Sequence, residues 1–159
     1  MQVDRAPLTI QNCTTVPAFR HRFSVRFADV DHARIVYYPV FYHYFHVAFE
    51  ELFRQKMGAD AYLSLLDEEH IGFPAVHSEC DYRAPLRFAD EAETAISLKR
   101  LGNKSVTLSY QVSRVEGAER VLAAEGSVTC AVTDLQVFRA VEVPKELRAL
   151  FLELSDSVG

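Results

Sequence analysis

The sequence predicts an α+β fold, one antiparallel β-sheet with a long apolar α-helix packed across it, and three observations carry that expectation. Two-residue alternation of apolar and polar side chains recurs in several separate segments, the mark of strands with one covered face. One stretch, from Pro39 to Met57, carries its apolar residues at helical spacing instead. Most of the alternating segments follow one another with only short turns between them, whereas a parallel sheet needs a crossover between each pair.

Taken in order, residues 1–18 show no sustained period and are expected to form an extended or frayed lead-in, with a single domain over 19–155. Phe19, His21, Phe23, Val25 and Phe27 alternate with Arg20, Arg22, Ser24, Arg26 and Ala28, which predicts a strand. A polar turn from Asp29 to Arg34 leads to Pro39, a residue suited to a helix start because its missing N–H is no loss there. The helix should end at Gly58, and its apolar face spreads through Phe41, Tyr44, Phe45, Ala48, Phe49, Leu52 and Phe53. A shorter helix is expected from Asp60 to Glu69, before the break at Gly72-Phe73-Pro74.

Four strands should follow, with Val76, Ser78, Cys80 and Tyr82 on the covered face of the first and Ala92, Thr94, Ile96 and Leu98 on that of the second. Glu93 falls on the solvated face in this pattern. Val106, Leu108, Tyr110 and Val112 mark the third strand, and alternate residues from Leu122 to Val132 the last. Pro144 opens a closing helix through Leu147, Leu150, Phe151 and Leu154. A helix apolar nearly all round, covered by one sheet, leaves surface for a second subunit, so a homodimer at least is expected.

Composition narrows the function classes. The chain has 159 residues, 49% hydrophobic and 25% charged, as suits one globular domain. No apolar run approaches the roughly 20 residues that span a bilayer, so no membrane partner is expected. A net charge of -5 gives no general basic field for a nucleic-acid backbone, which argues against nucleic acid as a partner. Met1 to Asp4 lacks the basic and apolar regions of a secretory signal, and Cys13, Cys80 and Cys130 are odd in number and far apart. A reducing, cytoplasmic compartment with structural thiols is the expectation.

The residues with chemical potential cluster between the first strand and the long helix. Asp29 and Asp31 stand just before a helix N-terminus, where unpaired N–H groups and the helix dipole favour developing negative charge. A substrate carbonyl directed at the amides near Tyr37 and Tyr38 would be polarised there, with Asp31 placed to attack it or to activate water. Capping of the turn and helix by both carboxylates is the simpler reading of the residues alone. The same Asp-x-Asp also fits a magnesium-dependent phosphatase of the haloacid dehalogenase type, but the strand before it alternates Arg with Phe, unlike a central parallel strand. His43, His46 and Glu50 have metal-ligand spacing on the helix, yet no matching second set follows, so no metal and no other cofactor is expected.

Val25-Arg-Phe27-Ala-Asp29-Val-Asp31, followed by Ile35-Val-Tyr-Tyr38-Pro39 and an aromatic helix, resembles the opening motif of the 4-hydroxybenzoyl-CoA thioesterase family of hotdog-fold proteins. Gly72-x-Pro74-x-Val76, Tyr82-Arg-Ala-Pro85, Asp90, Lys104-Ser105 and Val141-x-Val143-Pro144 follow that family's course in the same order, over about Phe19 to Leu150. The resemblance implies a hotdog fold, with the sheet wrapped around the central helix, and an acyl-CoA thioesterase that releases free acid and CoA without a metal. It also implies dimers joined sheet edge to sheet edge, with active sites at that interface and a dimer-of-dimers tetramer as a common assembly. By position, Asp31 would be nucleophile or general base and the Tyr38 N–H would polarise the thioester carbonyl. His46 and Tyr62 would line the acyl pocket with Phe73 near its mouth, while Lys104, Ser105 and Arg34 would contact CoA.

Two departures stand out. His46 occupies a position where the 4-hydroxybenzoyl-specific member has an acid, and Arg34 replaces a Gly, the residue that accepts positive φ without strain. Arg34 therefore implies a reshaped turn, a reach outward to CoA phosphate, or a reach inward to Asp31. Two other readings on the same fold are a non-catalytic acyl-CoA-binding module and a thioester dehydratase, the latter through His70-Ile-Gly-Phe-Pro74.

Overall fold

In the computed structural model, which describes residues 19–155, strand β1 is Phe19–Ser24. The expected lead-in over 1–18, with Cys13, lies outside the described residues. Phe19 and Phe23 of β1 pack on the core while Arg20 and Arg22 face outward. The chain then tightens into one 3-10 turn, Phe27–Asp29, so alternation stops before Phe27, which is 78% exposed rather than covered.

Helix α1, Val40–Met57, starts behind Pro39 and ends at Gly58, whose φ of 118° is a conformation that a side chain would strain. Helix α2 follows as Ala61–Asp67 and strand β2 as Ile71–Gly72. Strands β3, β4, β5 and β6 are Ala75–Tyr82, Glu91–Leu101, Ser105–Glu116 and Glu119–Ala131. Two short strands, β7 (Thr133–Asp134) and β8 (Arg139–Ala140), precede helix α3, Lys145–Leu152, which begins behind Pro144.

The main sheet has the order β1-β4-β5-β6-β3, antiparallel throughout, and β2, β7 and β8 form a second small sheet. Ile96, Tyr110, Gly126 and Cys80 lie in one row across four strands. Phe45 of α1 stacks on Tyr110, with ring centroids 4.6 Å apart, so the helix is seated at the middle of the sheet. Gly126 makes this approach possible. A Cβ there would stand 2.3 Å from the Glu79 carbonyl oxygen and 3.1 Å from the Phe45 ring. Phe45, Leu52 and Phe53 are fully enclosed with Ile96, Leu108 and Val112, and Phe151 of α3 closes the far end against Phe53. Among the described residues no helix is long and apolar enough to cross a membrane.

Three features differ from the sequence-based expectation. The face of β3 expected to be covered is largely bare in the single chain, with Val76 64% exposed and only Cys80 half-buried, because β3 is an edge strand that α1 meets at its Tyr82 end, 5.3 Å from the Phe41 ring, and leaves open toward Val76. Glu93 is buried, not solvated. Arg20 and Arg22 from β1 and Arg120 from β6 converge on its carboxylate and cover it. Burial pulls this carboxyl upward, but the bonds and charges of Arg20 and Arg120 more than offset that and hold it below its ordinary 4.5. Finally, the last long strand stops at Ala131, and the next residues form β7, which pairs with β2, and β8, which pairs with β7.

Candidate active site

The segment between β1 and α1 is held from two sides. Val25 N–H donates to the Asp90 carbonyl at 2.9 Å, Ala89 N–H to that of Val25 at 3.1 Å, and Val36 N–H to that of Leu86 at 2.8 Å. These bonds lace the 85–90 turn to the segment, while a bridge between Val30 and Val36 closes the loop that contains Asp31 and Arg34. Within the loop, Arg34 N–H donates to the Asp31 carbonyl and Asp31 N–H to that of Ile35. Arg34 takes a φ of 63°, the left-handed conformation that Gly supplies without strain.

The two aspartates of the motif have different surroundings. Asp29 Oδ2 accepts the Arg26 N–H at 2.8 Å and the Tyr44 hydroxyl at 2.9 Å, which ties the 3-10 turn to the first turns of α1. Burial first, and the bond and charge of Asp29 next, push the Tyr44 phenol far above its ordinary value, so it remains a donor. Asp31 Oδ1 accepts only the Ala33 N–H at 2.8 Å, and its second oxygen has no partner among the described residues. Each carboxylate therefore caps its own turn and neither caps α1, but Asp31 is exposed and keeps a free carboxylate oxygen.

At the start of α1 the N–H groups are taken up unevenly. Tyr37 donates to the Asp29 carbonyl at 2.9 Å, Val40 to that of Tyr37 at 2.8 Å, and Pro39 has no N–H. Tyr38 N–H is left without an acceptor among the described residues, at the positive end of the helix dipole. The Tyr38 carbonyl accepts the Tyr82 hydroxyl at 3.3 Å. Burial first, then Cys80, pushes the Tyr82 phenol up to about 12, so this donor keeps its proton near neutrality.

Asp31, His32 and Arg34 line an open cleft of about 520 Å³ together with Phe27, Val30 and Phe88. The Phe27 and Phe88 rings meet edge to face, 5.9 Å apart, and both are largely exposed. Neither ring is singled out by sequence pattern. Phe27 falls in the alternation of β1, and Phe88 is an aromatic inside a turn, the one signal that sets it apart. Arg34 forms no ion pair with Asp31 and its guanidinium has no hydrogen-bond partner among the described residues, so the inward reach to Asp31 is not made.

The remaining expected site residues lie elsewhere. His46, Tyr62 and Phe73 meet through Phe49, whose ring centroid is 6.4 Å from His46, 5.9 Å from Tyr62 and 5.4 Å from Phe73. His46 Nε2 is 2.9 Å from Glu50 Oε1, and burial, then the Glu50 charge, raises the Tyr62 phenol. Lys104 and Ser105 sit at the turn from β4 to β5. The 11 residues of β4, at about 3.3 Å each, put that turn about 36 Å from the end that holds Val25 and the cleft. One chain therefore does not bring Lys104 or Ser105 to Asp31.

Among the described residues no three His, Cys, Asp or Glu side chains gather as metal ligands, and His43 and His46 are exposed. Cys80 and Cys130 are free thiols that burial pushes upward, Cys130 to about 11, so neither is poised as a thiolate. His70 is half-buried in the turn before β2, with a φ of 55° and its carbonyl bonded to the Leu135 N–H.

A family model described as the thioesterase-like superfamily matches residues 25–151, from the cleft loop into α3. A 1,4-dihydroxy-2-naphthoyl-CoA hydrolase of Crocosphaera subtropica is 26% identical over 100 residues, 63% of this chain and 72% of the relative. The crystal structure of a 1,4-dihydroxy-2-naphthoyl-CoA thioesterase from Synechocystis superposes with a TM-score of 0.76 at 20% identity, over 86% of this chain and 96% of that one, a likeness of fold. The structure of a gentisyl-coenzyme A thioesterase superposes at 0.70 with 27% identity, over 83% and 98%.

Proposed function

The chain belongs to the thioesterase-like superfamily, and from that premise we propose that it hydrolyses an acyl-CoA thioester to the free acid and CoA, with Asp31 central. Its fold is the hotdog fold, and it is a thioester hydrolase by its family and its relatives. A CoA thioester as substrate is supported by the relatives, which act on 1,4-dihydroxy-2-naphthoyl-CoA and gentisyl-CoA. Within the superfamily, the motif from Asp31 to Tyr38 favours the 4-hydroxybenzoyl-CoA thioesterase kind of site, while His46 argues against strict 4-hydroxybenzoyl specificity.

The observation that carries the reading is a half-free carboxylate, Asp31, beside a helix start whose Tyr38 N–H has no acceptor. That N–H donates a hydrogen bond to the thioester carbonyl oxygen and stabilises the charge that develops there. The free Asp31 oxygen either attacks the thioester carbon, forming an anhydride and expelling CoA thiolate before water releases the acid, or takes a proton from the attacking water. Tyr82, bonded to the Tyr38 carbonyl, holds the next peptide, Tyr38–Pro39, and so steadies the helix start without touching the reacting atoms.

The acyl pocket in this reading is lined by His46, Tyr62 and Phe73. Lys104 and Ser105, too far from Asp31 of the same chain, hold CoA bound at a partner's cleft, so the working unit is a homodimer, or a tetramer of two dimers. The bare face and free edge of β3, with Val76 and Tyr82 exposed, supply a surface for that pairing. Release of CoA thiol by the wild type, lost in Asp31→Asn, tests the reaction; a fully active monomer in sedimentation rules out the shared site.

A further inference from the structure

Tyr110 is a buried polar residue that the fold leaves unsatisfied. Its ring, stacked on Phe45 at the middle of the sheet, is only 4% exposed, and its hydroxyl has no hydrogen-bond partner among the described residues. Burial of such a group is costly unless water or a ligand reaches it. Thr94 Oγ1 is the unpartnered side-chain oxygen that is fully shut in, so the Tyr110 hydroxyl, equally unpartnered, opens on a space.

That space lies between α1 and the β3 edge. On the helix-facing side of the sheet Val106 and Leu108 of β5 are covered, whereas their ladder partners on β6, Cys130 and Val128, are half-buried, as is Cys80 of β3. The cover of α1 therefore ends along β6 and leaves a trough, which starts at Tyr82 beside the Tyr38 carbonyl and passes Cys80 and Gly126. Phe45 follows Tyr38 by seven residues, so the Tyr110 ring stacked on it lies about 10 Å along α1 from the Tyr38 N–H. Burial first, then Cys130 and Tyr62, push the Tyr110 phenol far above its ordinary value; these groups are its neighbours, and it remains a donor. Phe49, one turn beyond Phe45, joins Tyr62 to Phe73 and His46, so Tyr110 faces the end of the acyl pocket already proposed.

We infer that Tyr110 is a specificity-determining residue whose hydroxyl donates a hydrogen bond to a hydroxyl or carbonyl oxygen carried on the far end of an aromatic acyl group. This rests on the thioesterase reading, with the thioester carbonyl at the Tyr38 N–H. An acyl group that lacks the oxygen displaces water from Tyr110 and leaves its hydroxyl unpaired, so the pocket discriminates against it. The rings of Phe45, Phe49 and Phe73 favour a flat, apolar skeleton between the two polar ends.

The test measures thiol release from benzoyl-CoA and naphthoyl-CoA, and from their derivatives hydroxylated at each ring position, by wild type and Tyr110→Phe. The substitution removes one oxygen that holds no bond, so denaturant unfolding should show the variant at least as stable as wild type. A loss of stability overturns the inference, because the hydroxyl then serves the fold. The ratio of kcat/KM for the best hydroxylated substrate over its unsubstituted parent should fall about tenfold in Tyr110→Phe. An unchanged ratio, a loss equal for both substrates, or a wild type that prefers the parent overturns it. If wild type cleaves none of these thioesters, the proposed reaction falls, and calorimetry with hydroxynaphthoic and naphthoic acids decides the pocket alone. Tighter binding of a hydroxy acid that is lost in Tyr110→Phe sustains the role of Tyr110, and equal binding or none overturns it.

Discussion

Replacing Asp29 by Ala removes the carboxylate that ties the 3-10 turn to helix α1, and the structure sets the size of the effect. Two bonds are lost, one to the exposed Arg26 N–H at 2.8 Å and one to the Tyr44 hydroxyl at 2.9 Å. Loss of the first resembles loss of a helix cap, about 1 kcal/mol, because water replaces it. Loss of the second leaves a buried phenol without an acceptor, at about 1 to 3 kcal/mol. The sum, about 2 to 4 kcal/mol, lowers Tm by about 4 to 16 °C in a chain of this length. Chemical denaturation of Asp29→Ala, Tyr44→Phe and the double variant should give a coupling of about 1 to 2 kcal/mol between the sites. Asp31→Asn should remain within about 0.5 kcal/mol of wild type, since its amide oxygen still accepts the Ala33 N–H. An Asp29→Ala variant as stable as wild type, or strict additivity with Tyr44→Phe, refutes the division of the two aspartates into one structural and one functional.

Gly126→Ala places a methyl 2.3 Å from the Glu79 backbone oxygen, which no side-chain rotation relieves; a loss of about 1 to 3 kcal/mol or more is expected in denaturant unfolding. Glu93 titrates below its ordinary 4.5 in the folded chain, so its contribution is present above that value and is lost as pH falls through the depressed one. Glu93→Gln should cost about 1.5 to 3 kcal/mol at pH 7 and flatten the fall in stability below pH 4.5, read from unfolding curves across that range.

Much of the fold is legible because its signals are local. Pro39 and Gly58 mark the ends of α1 through a missing N–H and a positive φ, and the alternation in β4 and β5 reports the buried row from Ala92 to Ile96 and from Val106 to Val112. Alternation states which residues share a face, not what covers it. Val76 lies bare because its strand is at the edge, and Glu93 is covered because arginines reach it from β1 and β6, far off in sequence. The end of β1 is similar: the period runs through Phe27, but the backbone bonds of Val25 to Asp90 and Ala89 turn the chain away first.

The candidate site divides along the same line. Asp31 and Tyr38 are legible from an acid placed just ahead of a helix start, but the sequence treats Asp29 as its equal. Only Tyr44, one helix turn inside α1, separates them. Phe88 enters the cleft because the 85–90 turn is laced to Val25 and Val36, contacts that no local pattern announces. Lys104 and Ser105 have the residue types for a CoA contact, yet the length of β4 removes them from Asp31 of their own chain.

The most direct measurement is the rate of CoA thiol release from a panel of aromatic and aliphatic acyl-CoAs by wild type and Asp31→Asn, with equal folding of the two verified by unfolding. A substrate turned over by wild type and slowed at least about a hundredfold in Asp31→Asn, with binding retained, is the expected result. Turnover that survives in Asp31→Asn would contradict the central role of this carboxylate.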